Sequence, residues 1–308
     1  MSLFLVTGGA GFIGSHIVEN LIRRGDTVRV LDNFATGKRE HQKLFGEGAT
    51  VVEGDVRDEA LVEKLMESVD YVLHLAAVVS VPQSMRDPGL TNAVNVTGTL
   101  NVLNAARKFQ VKRVVLSSSC AVYGDNPQLP LSEQATPQPL SPYAASKLIG
   151  EIYCQTYYRA YGLPTVALRY FNIYGPRQDP NGDYAAVIPK FVHRLKAGQA
   201  PLIYGDGQQT RDFVYVGDVV RANLLACEHP QASGHVFNIA SGQATSLLDL
   251  AEILGGLAGS IPPQFAPARE GDIRHSRGDG SYAQTLLGFQ PATKLYEGLQ
   301  QLYDSINA

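Results

Sequence analysis

Three cysteines are all that this 308-residue chain carries, and no two of them stand as Cys-x-x-Cys. Cys120, Cys154 and Cys227 are an odd number and far apart, so neither a disulfide framework nor a structural zinc site is implied. That pattern reads as a reduced, cytoplasmic setting. No apolar run approaches the roughly 20 residues of a membrane-spanning helix, and Met1 to Thr7 passes straight into glycines rather than into a signal core. No membrane partner is expected. Neither sign of charge is in excess, with 26 Lys and Arg against 29 Asp and Glu for a formal net charge of -3. Such a balance does not mark a nucleic-acid-binding surface. Repeats, low-complexity tracts and Ser/Gly-rich linkers are also missing. What remains is a chain with 44% hydrophobic residues, long enough for about two domains and for a core that needs neither metals nor disulfides.

Short apolar runs of β type alternate with helical patterns through the first half. Leu3 to Thr7, Thr27 to Asp32, Thr50 to Glu53, Tyr71 to Leu75, Arg113 to Ser118 and Thr165 to Arg169 read as strands. Helices fall between them, the longest over Leu90 to Arg107 and Tyr143 to Tyr161. Runs such as Phe4-Leu5-Val6 and Val114-Val115-Leu116 are continuously apolar, as strands covered on both faces must be. The expected fold class is therefore α/β, a doubly wound parallel sheet of Rossmann type spanning residues 1–170. Past Phe171 Gly and Pro punctuate shorter elements. Residues 171–308 read as a smaller, loop-rich α/β substrate domain, with a strand and helix near residues 212–240 packing back onto the first. A ligand belongs in the cleft beyond the carboxyl ends of the strands.

At the end of the first strand stands Thr7-Gly8-Gly9-Ala10-Gly11-Phe12-Ile13-Gly14. Gly8, Gly11 and Gly14 fit a tight turn and a close backbone approach to a pyrophosphate, with Phe12 and Ile13 opening a helix whose free N–H groups face it. As a short motif it could equally serve helix–sheet packing alone. Asp32 ends the second strand 18 residues beyond Gly14, near the roughly 20-residue spacing of a carboxylate that binds the adenosine ribose. A 2′-phosphate would meet an anion there, so NAD is preferred to NADP. Asn33 follows, and Asp55 and Val56 after the third strand are placed to meet the adenine, although Asp55 also suits a turn.

Ser117, Ser118 and Ser119 close the strand from Val114, where the nicotinamide would lie. Tyr143 and Lys147 begin a helix after Pro142, one turn apart on one face. Tyrosine has a reference pKa of about 10, and acting as a base near pH 7 requires a fall of roughly three units. A nearby ammonium, a helix N-terminus and an oxidised nicotinamide would all favour the phenolate. His74, in mid-strand, reads as a satisfied core histidine, and Cys120 as a small core filler.

These motifs together resemble the extended short-chain dehydrogenase/reductases, most closely the nucleotide-sugar epimerases acting at C4 of UDP-hexoses and UDP-N-acetylhexosamines. The likeness runs through Thr7 to Gly14, His74-Leu75-Ala76-Ala77, Ser117 to Ser119, Tyr143 to Lys147, Tyr170-Phe171-Asn172, Thr210-Arg211-Asp212-Phe213 and Arg269-Glu270-Gly271-Asp272. It implies Ser119, Tyr143 and Lys147 as catalytic residues, with Leu75, Ala76, Ala77, Ser117 and Tyr170 along the NAD path and no metal. Asn172, Val187, Tyr204, Arg211, Arg269, Asp272 and Ser276 are implied as substrate contacts. The small Ser276 would leave room for an N-acetyl group, which makes UDP-GlcNAc/UDP-GalNAc the leading pair, with UDP-Glc/UDP-Gal also accepted. Related dehydratases carry an acid just after the serine, whereas this chain has Cys120-Ala121. A UDP-glucuronate epimerase or a decarboxylase stays open as an alternative. A non-enzymatic NAD sensor is disfavoured by the presence of both Tyr143 and Lys147. The helices Leu90 to Arg107 and Tyr143 to Tyr161 resemble the pair that joins family homodimers.

Overall fold

Phe4, Leu5 and Val6 are all buried because helices cover both faces of the sheet they belong to. The computed structural model describes residues 1–181, 186–268 and 273–306. Its first half alternates β1 (Leu3–Thr7), α1 (Phe12–Arg23), β2 (Thr27–Asp32), β3 (Ala49–Glu53), α2 (Glu59–Leu65) and β4 (Tyr71–His74). The short helices α3 (Val81–Arg86) and α4 (Pro88–Asn92) lead to α5 (Gly98–Lys108), β5 (Arg113–Ser119), α6 (Pro142–Tyr161) and β6 (Thr165–Tyr170). The second half runs β7 (Asn172–Tyr174), α7 (Val187–Lys196), β8 (Leu202–Tyr204), β9 (Thr210–Arg211), β10 (Phe213–Tyr215) and α8 (Val216–Glu228). It ends with β11 (Val236–Ile239), β12 (Thr245–Ser246), α9 (Leu247–Leu257), β13 (Gln264–Ala266), α10 (Ser281–Leu287) and α11 (Leu295–Ser305).

Seven strands form one sheet in the order β11-β6-β5-β4-β1-β2-β3, and every neighbouring pair is parallel. From β1 the chain builds outward first through β2 and β3, then on the other side through β4, β5 and β6. That reversal makes a switch point at the carboxyl ends of β1 and β4, where such sheets open a crevice. One core joins Val6, Ile17, Leu21 and Phe237 on one side of the sheet, and another joins Leu5, Leu31, Val102 and Leu116 on the other. A third, around Tyr174, Phe191, Ile203, Leu250 and Leu299, gathers the second half. There the remaining strands pair two by two, as β7/β10, β9/β12 and β8/β13, while β11 joins the main sheet beside β6 and α8 packs on α1.

The long helix expected over Leu90 to Arg107 is built instead from α4 and α5, joined by one wide π-type turn, Ala93–Thr97. The turn aims Asn95 inward, where it accepts from Val78 N at 2.7 Å and donates to Val78 O at 3.0 Å and Ser146 Oγ at 2.9 Å. Such a bulge re-aims a side chain that a regular helix would place elsewhere. Helix α6 is started firmly: Ser141 Oγ accepts from Ala144 N at 3.1 Å, Pro142 occupies the first turn, and Gly162 at φ 70° ends it. Among the described residues no helix is long and apolar enough to cross a membrane.

Candidate active site

The turn between β1 and α1 admits only glycine at two positions. Gly8 has φ 71°, and a Cβ there would lie 2.8 Å from Ala76 N; a Cβ on Gly14 would lie 2.2 Å from Gly8 O. The backbone is thus drawn close enough to leave a cradle in front of α1, whose first N–H groups face it. At the end of β2, Asp32 accepts from Ala10 N at 2.9 Å and Phe34 N at 2.8 Å. Burial pushes its carboxyl pKa up, and each oxygen keeps a lone pair for a hydroxyl donor.

A cavity of about 690 Å³ opens from this turn, within the range of ligand sites. Gly8, Gly11, Phe12, Ile13, Gly14, Asp32, Asn33 and Val56 form one end, and Leu75, Ala76, Ala77, Ser117, Ser119, Tyr143, Lys147 and Tyr170 the other. Asp55 is the exception. Its carboxylate is taken by Arg57 (Nε 2.8 Å, Nη2 2.8 Å) and by Asn33 Nδ2 at 3.0 Å; the Arg57 bonds lower its pKa to about 2, and it does not line the cavity. The segment after β7 closes over α1: His16 Nε2 pairs with Pro176 O at 2.9 Å and Arg177 binds Glu19.

Helix α6 and the end of β5 bring the reacting groups together. Lys147 Nζ donates to Ser117 O at 2.7 Å and lies 5.9 Å from the centre of the Tyr143 ring. The Ser119 hydroxyl beside the Tyr143 phenol works to lower its pKa, yet burial dominates and pushes it up to about 12. Burial likewise lowers Lys147 to about 8, opposed by Glu151 one turn further on. The sequence reading takes an ammonium, a helix N-terminus and an oxidised nicotinamide together as the sources of a depressed phenol; in the structure desolvation outweighs the Ser119 hydroxyl. Cys120 adjoins the site as an inert thiol, pushed up to about 12 by burial. His74 is a satisfied core residue between Thr7 Oγ1 at 2.7 Å and Thr99 Oγ1 at 3.0 Å.

A second cavity, of about 320 Å³, is lined by Asn172, Val187, Tyr204 and Arg211, and Ile173 borders both. Ser276 lines neither; it is buried, with its N–H on Thr210 O at 3.1 Å. Arg269 and Asp272 lie outside the described residues.

Two glutamines that sequence reading passed over also face these spaces. Gln178, in the larger cavity, donates from Nε2 to Ile173 O at 3.1 Å, and Gln209, in the smaller, donates to Tyr204 O at 2.7 Å. Each Oε1 is buried without a partner among the described residues, so the amide oxygen is closed off from the cavity that its residue lines. Neither glutamine stands in a pattern that the sequence alone would single out. The glycine cradle and the Asp32 carboxylate fit a dinucleotide.

A parallel sheet with a glycine turn at its switch point, and Ser, Tyr and Lys converging past the next strands, defines an extended short-chain dehydrogenase/reductase. The chain belongs to the NAD dependent epimerase/dehydratase family, whose model matches residues 4–240. It is 41% identical over 305 residues to a putative UDP-glucose 4-epimerase of Methanocaldococcus jannaschii, covering 97% of each chain. It is 42% identical, with a TM-score of 0.95 and 99% and 97% coverage, to a UDP-N-acetylglucosamine 4-epimerase from Methanobrevibacter ruminantium M1 solved with UDP-N-acetylmuramic acid. A UDP-glucose 4-epimerase from Thermotoga maritima, solved with UDP-glucose, is 41% identical at a TM-score of 0.93, covering 98% of each chain.

Proposed function

We propose that this chain is an NAD-dependent 4-epimerase of UDP-sugars. The observation that carries the reading is the meeting of Ser119, Tyr143 and Lys147 in the wall of the dinucleotide cavity, next to a second cavity holding Asn172, Tyr204 and Arg211. NAD, when bound, supplies the acceptor and later the donor of a hydride at C4, and its positive ring favours the phenolate. Tyr143 takes the proton of the C4 hydroxyl and returns it after the sugar has turned over. Lys147, fixed by Ser117 O, offsets the cost of a buried phenolate, and Ser119 holds the phenol and the sugar oxygen in one line. In the second cavity the UDP diphosphate is anchored by the Arg211 guanidinium, which suits phosphate.

UDP-GlcNAc/UDP-GalNAc is the leading pair and UDP-Glc/UDP-Gal a second. The N-acetyl preference rests on the family resemblance at the small Ser276, which lies beside the Thr210-Arg211 strand and outside both cavities, and the un-ionised Cys120 beside Ser119 speaks against elimination of water. Residues 1–170 with the 212–240 return serve the cofactor, and the rest of 171–308 serves the sugar nucleotide. The working form is a cytoplasmic homodimer joined through the helical stretch 90–107 and α6. A panel of UDP-sugars, UDP-glucuronate included, incubated without added cofactor and read by NMR and mass, tests the assignment. Inversion at C4 without mass change is the expected result; loss of water or carbon dioxide, or no turnover of any member, overturns it.

A further inference from the structure

Ser117, Ser118 and Ser119 are tied to three successive turns of one helix face. Ser119 meets Tyr143, the Ser117 carbonyl accepts from Lys147, and Ser118 Oγ donates to Glu151. Tyr143, Lys147 and Glu151 follow at four-residue intervals on α6, so phenol, ammonium and carboxylate share one face. A free carboxylate one turn from Lys147 would neutralise it. Arg169 takes that charge instead: Nε donates to Glu151 Oε1 at 2.9 Å and Nη2 to Oε2 at 2.7 Å. The side chains are only 5% and 3% exposed. Arg169 stands on β6 directly opposite Ser118 in the sheet register. Its Nη1 donates to Tyr123 Oη at 2.8 Å, and that hydroxyl donates to Asn238 Oδ1 at 2.7 Å.

Buried ion pairs are weak contributors to stability, and an apolar pair of like volume would often serve as well. The position of this pair, directly behind the reacting end of α6, points to a different role. We propose that Arg169 and Glu151 are positioning residues: the fork holds the carboxylate on Ser118 and takes up most of its charge, leaving the Lys147 charge only partly compensated and so available to the Tyr143 phenol. This rests on the role given to Tyr143 above. The other titratable groups around it are Cys120 after β5, His74 on β4 and Cys154 on α6, with Tyr123 and Glu133 beyond Arg169. Burial keeps His74 and the two thiols uncharged at neutral pH.

Eight residues of helix separate Glu151 from Tyr143, about 12 Å. At an effective dielectric of about 20, a unit charge exposed there shifts the phenol by about one pH unit. The test follows Tyr143 ionisation in the NAD-loaded chain without sugar. The phenolate absorbance of each protein minus that of its Tyr143→Phe counterpart isolates one of the 15 tyrosines. Arg169→Met should raise the midpoint by about one unit, Glu151→Gln should lower it, and the double variant should restore it. Midpoints that stay fixed, or that move together in Arg169→Met and the double variant, overturn the proposal. If Arg169→Met does not fold, Glu151→Gln decides alone: a fall supports the proposal, and no shift or a rise refutes it. Because no sugar is needed, these shifts in a chain that turns over no UDP-sugar would leave the electrostatic arrangement standing and remove only the reaction.

Discussion

Lys147 donates from Nζ to the main-chain carbonyl of Ser117 across 2.7 Å, so one bond sets the ammonium against the end of β5 and beside Tyr143. Replacing it by methionine keeps most of the packing and removes both the charge and the bond. Lys147→Met should lower kcat by about two to four orders of magnitude and weaken NAD retention. Turnover measured with excess NAD separates the two effects; a variant fully restored by added cofactor would show that Lys147 only holds NAD.

The glycine turn separates folding from cofactor access. A Cβ on Gly11 would meet only Gly8 O, at 3.2 Å, whereas one on Gly14 would strike Gly8 O at 2.2 Å and Gly9 Cα at 2.7 Å. Gly14→Ala should therefore cost about 1–3 kcal/mol. Gly11→Ala should fold with a smaller loss, but its methyl points into the cavity and should weaken NAD binding at least about tenfold, or 1.4 kcal/mol. Calorimetric titration of NAD into both variants checks this, and equal affinity in Gly11→Ala and the parent chain would contradict the placement.

Acid should destabilise the chain through His74, whose burial lowers its pKa from 6.5 to about 3. The unfolded state binds the proton more readily, so the contribution is present above pH 6.5 and is lost as pH falls toward 3. At about pH 5.5 the loss from this group alone is about 1 kcal/mol. His74→Gln should be less stable than the parent at neutral pH and lose less between about pH 7.5 and 5.5. Urea midpoints at the two pH values decide, and an undiminished acid loss in the variant would count against a buried neutral His74.

On the outer face of α6 Ile152 is 53% exposed, and Met85 on the adjoining α3 is 61% exposed. Covered by a second copy, these apolar groups would leave water. If the proposed dimer forms through this face, Ile152→Glu should convert it to a monomer in light scattering coupled to size exclusion. A parent chain that already runs as a monomer contradicts the assigned face.

Continuous apolar runs made β1 and β5 legible because burial on both faces erases alternation, and α6 announced itself through Ser141, Pro142 and the Tyr143–Lys147 spacing. The π-type turn at Ala93–Thr97 left no such mark, since nothing in its residue types departs from a helix. Arg169 was readable in hindsight: an arginine inside the apolar strand Thr165–Tyr170 must find a buried partner, but only the fold identifies it as Glu151. The pairing of Asp55 with Arg57, two residues on, is a local matter of rotamers that the spacing after the third strand does not show. The upward push of burial on the Tyr143 pKa was not legible, because desolvation depends on what packs around the ring.

In the proposed reaction Tyr143 handles the C4 hydroxyl proton while the hydrogen on C4 itself never meets water. Incubating the purified chain with UDP-N-acetylglucosamine in deuterium oxide, and following C4 by NMR, tests it directly. Inversion with the C4 hydrogen fully retained is the expected result, with a rate lowered by orders of magnitude in Tyr143→Phe. Deuterium appearing at C4, or a Tyr143→Phe chain as fast as the parent, would contradict it.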